Sequence, residues 1–347
     1  MKAVLLVGGY GTRLFPLTLR LSKCLLPLAG KPVLLHTIEL LKGAGINDLV
    51  ISLRKGQSEI EKYFGDGGEI GVNIVYVYEE TTSDEDKLGS VGAMNYVLDQ
   101  IQLRDECLFF GGDNFVHELN IRDLIDHHRE MEAAATIALY ELREKELVRQ
   151  YGVAQIDEKR RIQRFQEKPR VEEAFSFLAA TAIYCLSGKF TERYLPEYIE
   201  DVRAAGKKPD MIGELWEHLV KRIPIYGYVF SGMWSDIGNV KTYIQTNSAT
   251  LKHIPEQIES SRIAPTACLR GPNIRIERNT QIGTGVLIQG PVFIDAGCKV
   301  EERCAIGPSV SLAEECKIER GSTINKSILF EEVEVGKNTM IEDCVID

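Results

Sequence analysis

Toward the end of the chain, ten apolar residues fall on a six-residue spacing: Ile276, Ile282, Ile288, Ile294, Val300, Ile306, Leu312, Ile318, Ile324 and Phe330. A helix repeats at about 3.6 residues and a strand at two, so neither produces this pattern. A sustained period of six calls for a parallel β-solenoid in which each repeat forms one wall of a coil. The residue two places earlier is mostly small or β-branched, and at three repeats it is Cys298, Cys304 or Cys316. With three repeats to a coil, Cys298 and Cys316 occupy equivalent places in adjacent coils. Stacked strands lie about 4.8 Å apart, a spacing that does not forbid a disulfide. Free, inward-pointing thiols are nevertheless expected. The eight cysteines include no C-x-x-C, and that usage suits a reducing cytoplasm better than a disulfide or zinc framework.

Before about residue 250 the pattern is different. Val4-Leu-Leu-Val7, Leu49–Leu53, Ile74–Tyr78, Cys107–Phe110 and Ala134–Leu142 read as strands. Helical stripes run through Pro32–Gly45, Ser58–Phe64, the stretch after Gly89, and Ile121–Met131. Adjacent histidines cannot share a helix face, so His127 and His128 are read as surface or boundary residues. Tyr151–Ile156 and Arg161–Gln166 look like a hairpin. Alternating strands and helices predict an α/β fold, a mostly parallel sheet covered on both faces. At 347 residues and a net charge of -10, the chain suggests two domains, and its charge argues against a nucleic-acid or anionic-membrane surface. No apolar run approaches the length of a membrane span.

The candidate chemistry begins where the first strand breaks into Gly8, Gly9 and Gly11, with Thr12 and Arg13 next. Glycines let backbone N–H groups approach a ligand closely, and such N–H rows suit phosphate oxygens. Arg13 adds a fork of donors matched to phosphate. The spacing is neither the dinucleotide G-x-G-x-x-G nor the P-loop pattern. Asp113 comes just after Cys107–Phe110 at the strand's carboxyl end, where open α/β sheets bind ligands. It is a candidate Mg²⁺ ligand or a cap for the adjoining loop or helix.

With Pro16-Leu17-Thr18, Ser22-Lys23 and Gly30-Lys31-Pro32 added, the N-terminal stretch resembles the signature of the sugar-1-phosphate nucleotidyltransferases. The resemblance implies a Rossmann-like, mostly parallel sheet with helices on both faces. It assigns Gly8, Gly9, Gly11, Thr12 and Gly89 to the nucleotide, and Arg13, Lys23 and Asp113 to catalysis. Tyr151-Gly152, Glu167-Lys168 and Thr181 would hold the sugar phosphate. Asp113 and Asp236, the latter in Trp234-Ser-Asp-Ile-Gly238, would hold Mg²⁺; helix capping is the other role open to Asp236. Around Gly89, Lys87 and Ser90 stand where the family usually has proline and threonine, after an acidic loop at 79–86 read as solvated surface.

The C-terminal repeats are similar to those of hexapeptide-repeat proteins, which implies a left-handed β-helix. Acyl transfer, common among these, needs a histidine base, and none follows His253. The expected organisation is a catalytic domain at 1–250, a linker at 251–262 and a β-helix at 263–347. The expected activity makes an NDP-sugar and pyrophosphate from a nucleoside triphosphate and a sugar 1-phosphate. Features of both glucose-1-phosphate thymidylyltransferases and mannose-1-phosphate guanylyltransferases are present. The alternative is a non-catalytic regulatory subunit that binds nucleotide-sugar, against which stands the retention of Arg13, Lys23, Asp113 and Asp236. A cytoplasmic homo-oligomer is expected, with no nucleic-acid or membrane partner.

Overall fold

Strand β1, Lys2–Leu6, lies at the middle of the main sheet in a computed structural model that describes residues 1–9, 11–80 and 88–347. The chain forms two units, one of Met1–Tyr10 with Leu34–Trp234, the other of Gly11–Val33 with Ser235–Asp347. The remaining strands of the main sheet are β2 (Asp48–Arg54), β3 (Asn73–Glu79), β4 (Cys107–Gly111), β5 (Ala135–Glu141), β6 (Gly152–Ile156), β7 (Ile162–Glu167), β8 (Leu178–Leu186) and β9 (Ile225–Phe230). Their order is β7-β6-β8-β4-β1-β2-β3, with β5 beside β8 and β9 beside β5.

From β3 to β4 the pairing is parallel, Val4 standing between Val50 and Phe109. Strand β8 then enters antiparallel, Tyr184 opposite Phe109, while β5 and β9 form a further parallel pair. Ala3, Val4 and Leu5 are all fully buried. Successive side chains point to opposite faces, so this strand is covered on both. Val4 belongs to a core it shares with Val91, Met94 and Val97 of helix Gly89–Gln100, and which extends to Trp216 of helix Ile212–Leu219 beside Tyr184 of β8.

On helix Ile121–Glu130, His127 is a boundary residue as expected, but His128 is not. His128 is 2 % exposed and its Nδ1 meets Thr136 Oγ1 at 2.9 Å. It lies in the buried stripe Ile121, Leu124, Ile125, so it is a core residue.

In the second unit the six-residue period becomes three stacked parallel sheets of two- and three-residue strands. Ile276, Ile294 and Leu312 stack on one face, Ile282, Val300 and Ile318 on the next, and Ile288, Ile306 and Ile324 on the third. The arrangement fits the left-handed β-helix. The last expected position is corrected. Leu329, one residue before Phe330, is the partner of Leu312 and is fully buried. The coil from Leu312 to Leu329 is one residue shorter than those before it, so the inward position slips along an apolar pair. Strands Gln257–Ile258 and Arg262–Ile263 pair with Ile274–Ile276 and Gln281–Ile282 as the first coil. Cys298 and Cys316 are buried thiols whose Sγ atoms donate to Ala313 O at 3.1 Å and Phe330 O at 3.0 Å.

Within this same unit, residues 11–33 are fastened to the β-helix. A Cβ at Gly30, which has φ 83°, would collide with the Phe293 ring. Ala29 N–H donates to Asn247 Oδ1 at 2.8 Å, and Asn247 Nδ2 donates to Ser311 Oγ at 3.0 Å. Ala29, Leu251 and Phe293 form a small core of their own. Among the described residues, no helix is long and apolar enough to cross a membrane.

Candidate active site

Along the chain, β1 and β2 are followed by β3 further out on the same side, and β4 then returns to the opposite flank of β1. Strand order therefore reverses between β1 and β4. In open α/β sheets that switch point, at the carboxyl ends of the strands, is where the ligand crevice forms. The turn after β1 carries Gly8 and Gly9, and the turn after β4 carries Gly112 and Asp113. The two turns are tied by Gly112 N–H donating to Leu6 O at 2.8 Å, and a Cβ at Gly112 would collide with Val7.

Beside Gly8 lies Glu79, an acid expected from the sequence to sit in a solvated loop. It is instead 7 % exposed and accepts from Ser52 Oγ at 2.7 Å. A Cβ at Gly8 would stand 3.4 Å from its Oε1. Burial pushes this carboxyl above the usual range, and the Ser52 bond pulls it partly back. The rest of the acidic stretch from 81, and Lys87, lie outside the described residues.

Asp113 is half-buried and its Oδ1 accepts from Asn114 Nδ2 at 3.0 Å. Asn114 is itself buried, and its Oδ1 accepts from Trp234 Nε1 at 2.7 Å. A strand, Asn114–His117, comes next after Asp113, and helix Ile121–Glu130 is capped by Asn120, so Asp113 caps no helix. Gly89, with φ 74°, begins its helix against Asp210, whose carbonyl accepts from Ser90 Oγ at 2.9 Å.

At the end of β7, the Glu167 carboxylate fits where Gly152 leaves room: a Cβ there would be 2.8 Å from Glu167 Oε2. Lys168 Nζ reaches Glu167 Oε1 at 3.3 Å, and Tyr151 packs against Trp234 with ring centroids 4.6 Å apart. Burial raises the Glu167 carboxyl; Lys168 opposes that shift, and Glu217 and Glu214 add to it. Thr181 is fully buried and its hydroxyl donates to Ala138 O at 3.0 Å. The next residue, Ala182, takes φ 56° within a β8 irregularity. For a non-glycine residue this left-handed conformation is uncommon.

The second unit holds the other expected residues. Gly11 has φ 63°, and its carbonyl accepts from Thr18 Oγ1 at 2.8 Å. Lys23 Nζ lies 3.4 Å from Asp236 Oδ1. The Arg13 guanidinium lies beside Gly238, 3.5 Å from where a Cβ on that residue would stand, an ordinary contact distance. Asn239 forms a capping box with Thr242 on helix Val240–Thr250, so the capping role considered for Asp236 belongs to Asn239.

No cluster of three or more His, Cys, Asp or Glu side chains among the described residues would hold a metal by itself.

Comparison with known proteins gives the same direction. Residues 2–253 match the family model described as nucleotidyl transferase, and residues 288–347 match the one described as GMPPB C-terminal domain. A UTP–glucose-1-phosphate uridylyltransferase of Synechocystis sp. is 31% identical, covering 100% of this chain and 87% of the relative. A glucose-1-phosphate thymidylyltransferase of Streptomyces antibioticus is 30% identical over 100% of this chain and 92% of its own length. A mannose-1-phosphate guanylyltransferase of Mycobacterium tuberculosis is 29% identical over 88% and 83%. Among solved structures, a Bacillus anthracis protein assigned as a glucose-1-phosphate thymidylyltransferase, in complex with sucrose, aligns with a TM-score of 0.63 at 27% identity. It covers 74% of this chain and 98% of its own. A match spanning residues 2–253, joined to relatives that run the length of the chain, makes this chain a member of the nucleotidyl transferase family.

Proposed function

We propose that the protein joins a nucleoside triphosphate to a hexose 1-phosphate, releasing pyrophosphate and forming an NDP-sugar. The observation that carries this reading is the pair of turns, Gly8-Gly9 and Gly112-Asp113, at the switch point between adjacent parallel strands. The sugar-phosphate oxygen attacks the α-phosphorus in line and pyrophosphate leaves, with no covalent enzyme intermediate. The protein's part is positioning and charge stabilisation.

Gly8, Gly9, Gly11, Thr12 and Gly89 are assigned to the nucleotide, Arg13 to the departing pyrophosphate, and Lys23 to the α-phosphate. Tyr151, Gly152, Glu167 and Lys168 are assigned to the sugar phosphate, the glutamate accepting from hydroxyls and the lysine meeting phosphate as a compact charge. Asp113 and Asp236 are the proposed ligands of Mg²⁺, which when bound supplies positive charge to the phosphates. The uridylyl-, thymidylyl- and guanylyltransferase relatives are 31%, 30% and 29% identical, so overall similarity does not select a base. Residues 1–250 are the proposed catalytic domain, and residues 263–347 are proposed to assemble copies of the chain into a homo-oligomer in the cytoplasm.

The test is direct. Purified protein is incubated with Mg²⁺, each nucleoside triphosphate and a panel of hexose 1-phosphates, and pyrophosphate is measured. One productive pair is expected to dominate. Absence of pyrophosphate from every pair would overturn the reading.

A further inference from the structure

Glu167 is gripped by a single helix, Ile212–Leu219. Gly213 and Glu217 stand four residues apart on it and so share a face. A Cβ at Gly213 would collide with Glu167 Oε2, so the glycine gives that carboxylate its berth. Glu217 Oε1 accepts the backbone N–H of Glu167 at 2.7 Å. The next N–H, that of Lys168, donates to Tyr151 O at 3.1 Å. Lys168 has φ 46°, a backbone conformation that needs its surroundings to hold it. Two hydrogen bonds thus fix the turn from which both the carboxylate and the ammonium project.

A carboxylate is an unexpected acceptor here. Its charge opposes ionisation of Glu167, so a neutral acceptor would hold the N–H at lower electrostatic cost. What the charge adds is a shorter, stronger bond to the backbone. The same helix is anchored at its start, where Ser90 Oγ accepts from Ile212 N–H at 3.0 Å and donates to Asp210 O. Glu217 therefore reaches Glu167 from a fixed base.

We infer that Glu217 is a positioning residue for capture of the sugar phosphate, acting through the backbone of Glu167, with Gly213 keeping the carboxylate's place open. This rests on the reading of Glu167 and Lys168 as sugar-phosphate ligands.

The test uses the full chain with the productive substrate pair. Glu217→Ala should raise KM for the sugar phosphate about tenfold or more while KM for the nucleotide changes less than about twofold. Glu217→Gln keeps an acceptor oxygen and should bring that KM back to within about threefold of wild type. It should also move the acid limb of the sugar-phosphate KM profile to lower pH, because Glu167 loses a negative neighbour. In Gly213→Ala the added methyl would overlap not only Oε2 but also Cδ and Cγ of Glu167, so the whole side chain must leave its place. The sugar-phosphate KM should rise selectively, and the gain in helix propensity from alanine should offset only part of the clash in the melting temperature. Unchanged sugar-phosphate KM in both Glu217→Ala and Gly213→Ala overturns the inference, as does a parallel rise in both KM values with a lower melting temperature. An active wild type with such indifferent variants leaves the proposed function standing; a wild type inactive with every pair removes that function and this inference together.

Discussion

Lys23 Nζ lies 3.4 Å from Asp236 Oδ1, and the lysine side chain is only 9% exposed against 27% for its partner. The pair joins a residue near the start of the chain to one more than two hundred positions later, and each is proposed to act on the phosphates. A nearly buried ammonium depends on its counter-charge.

Asp236→Asn should therefore cost both activity and stability. Pyrophosphate release should fall roughly a hundredfold or more, the scale of losing one charge-stabilising group. Stability should fall by about 1–3 kcal/mol, below the full cost of a sealed pair because Asp236 is partly wet. Asp113→Asn should show a similar loss of turnover with little change in melting temperature, since its amide oxygen still accepts from Asn114. Near-normal turnover in both variants would remove the metal assignment.

Glu167 carries a pH signature. Burial first, then Glu217 and Glu214, hold its carboxyl above the ordinary value despite Lys168. The folded state thus binds a proton more readily than the unfolded one, and this contribution to stability is lost as pH rises through the folded value. Glu167→Gln should be more stable than wild type at neutral pH, with the difference vanishing in acid, as measured by denaturant melts across pH. Its KM for the sugar phosphate should rise.

His128 has the opposite sign. Burial lowers its pKa to about 4 from an ordinary 6.5, so the folded protein resists protonation that the unfolded chain accepts. Stability should decline as pH falls from about 6.5 to about 4, by up to roughly 3 kcal/mol from this residue. His128→Gln should flatten that part of the stability profile while leaving turnover at neutral pH unchanged. An unaltered acid profile would show that the imidazole is not held neutral.

Thr181 offers a sharp comparison, because its hydroxyl is already engaged with Ala138 O in the core. Thr181→Val should cost about 1–2 kcal/mol in thermal or denaturant melts by leaving that carbonyl unsatisfied. KM for the sugar phosphate should not move. A selective rise in that KM would restore the hydroxyl to the substrate side.

Much of the architecture was legible because the relevant periods are local. Inward positions of the β-helix recur in the sequence as they do in space from Ile276 to Ile324; beyond that, Leu329 and Phe330 are both apolar and a shortened turn leaves no mark, while the exposed strand Gln257–Ile258 carries too little of the period to be seen. His128 was misread although positions 121, 124, 125 and 128 already traced its buried stripe. The grip on Glu167 could not be read in this way. Gly213 and Glu217 meet it through packing between a helix and a strand far away in sequence, and a glycine needed for space looks like any other. Glu79 was hidden for a related reason: an acidic run looks solvated until the strand's end turns one member inward beside Gly8.

Residues 11–33 rest on Phe293 and Ser311 through Gly30, Ala29 and Asn247. During synthesis, that seat leaves the ribosome long after the loop bearing Arg13 and Lys23. Helix Val240–Thr250 meets the segment first, through Asn247 and Tyr243, and Phe293 and Ser311 complete the seat only later in the chain, so a truncation ahead of Phe293 should leave the Arg13 and Lys23 loop half supported.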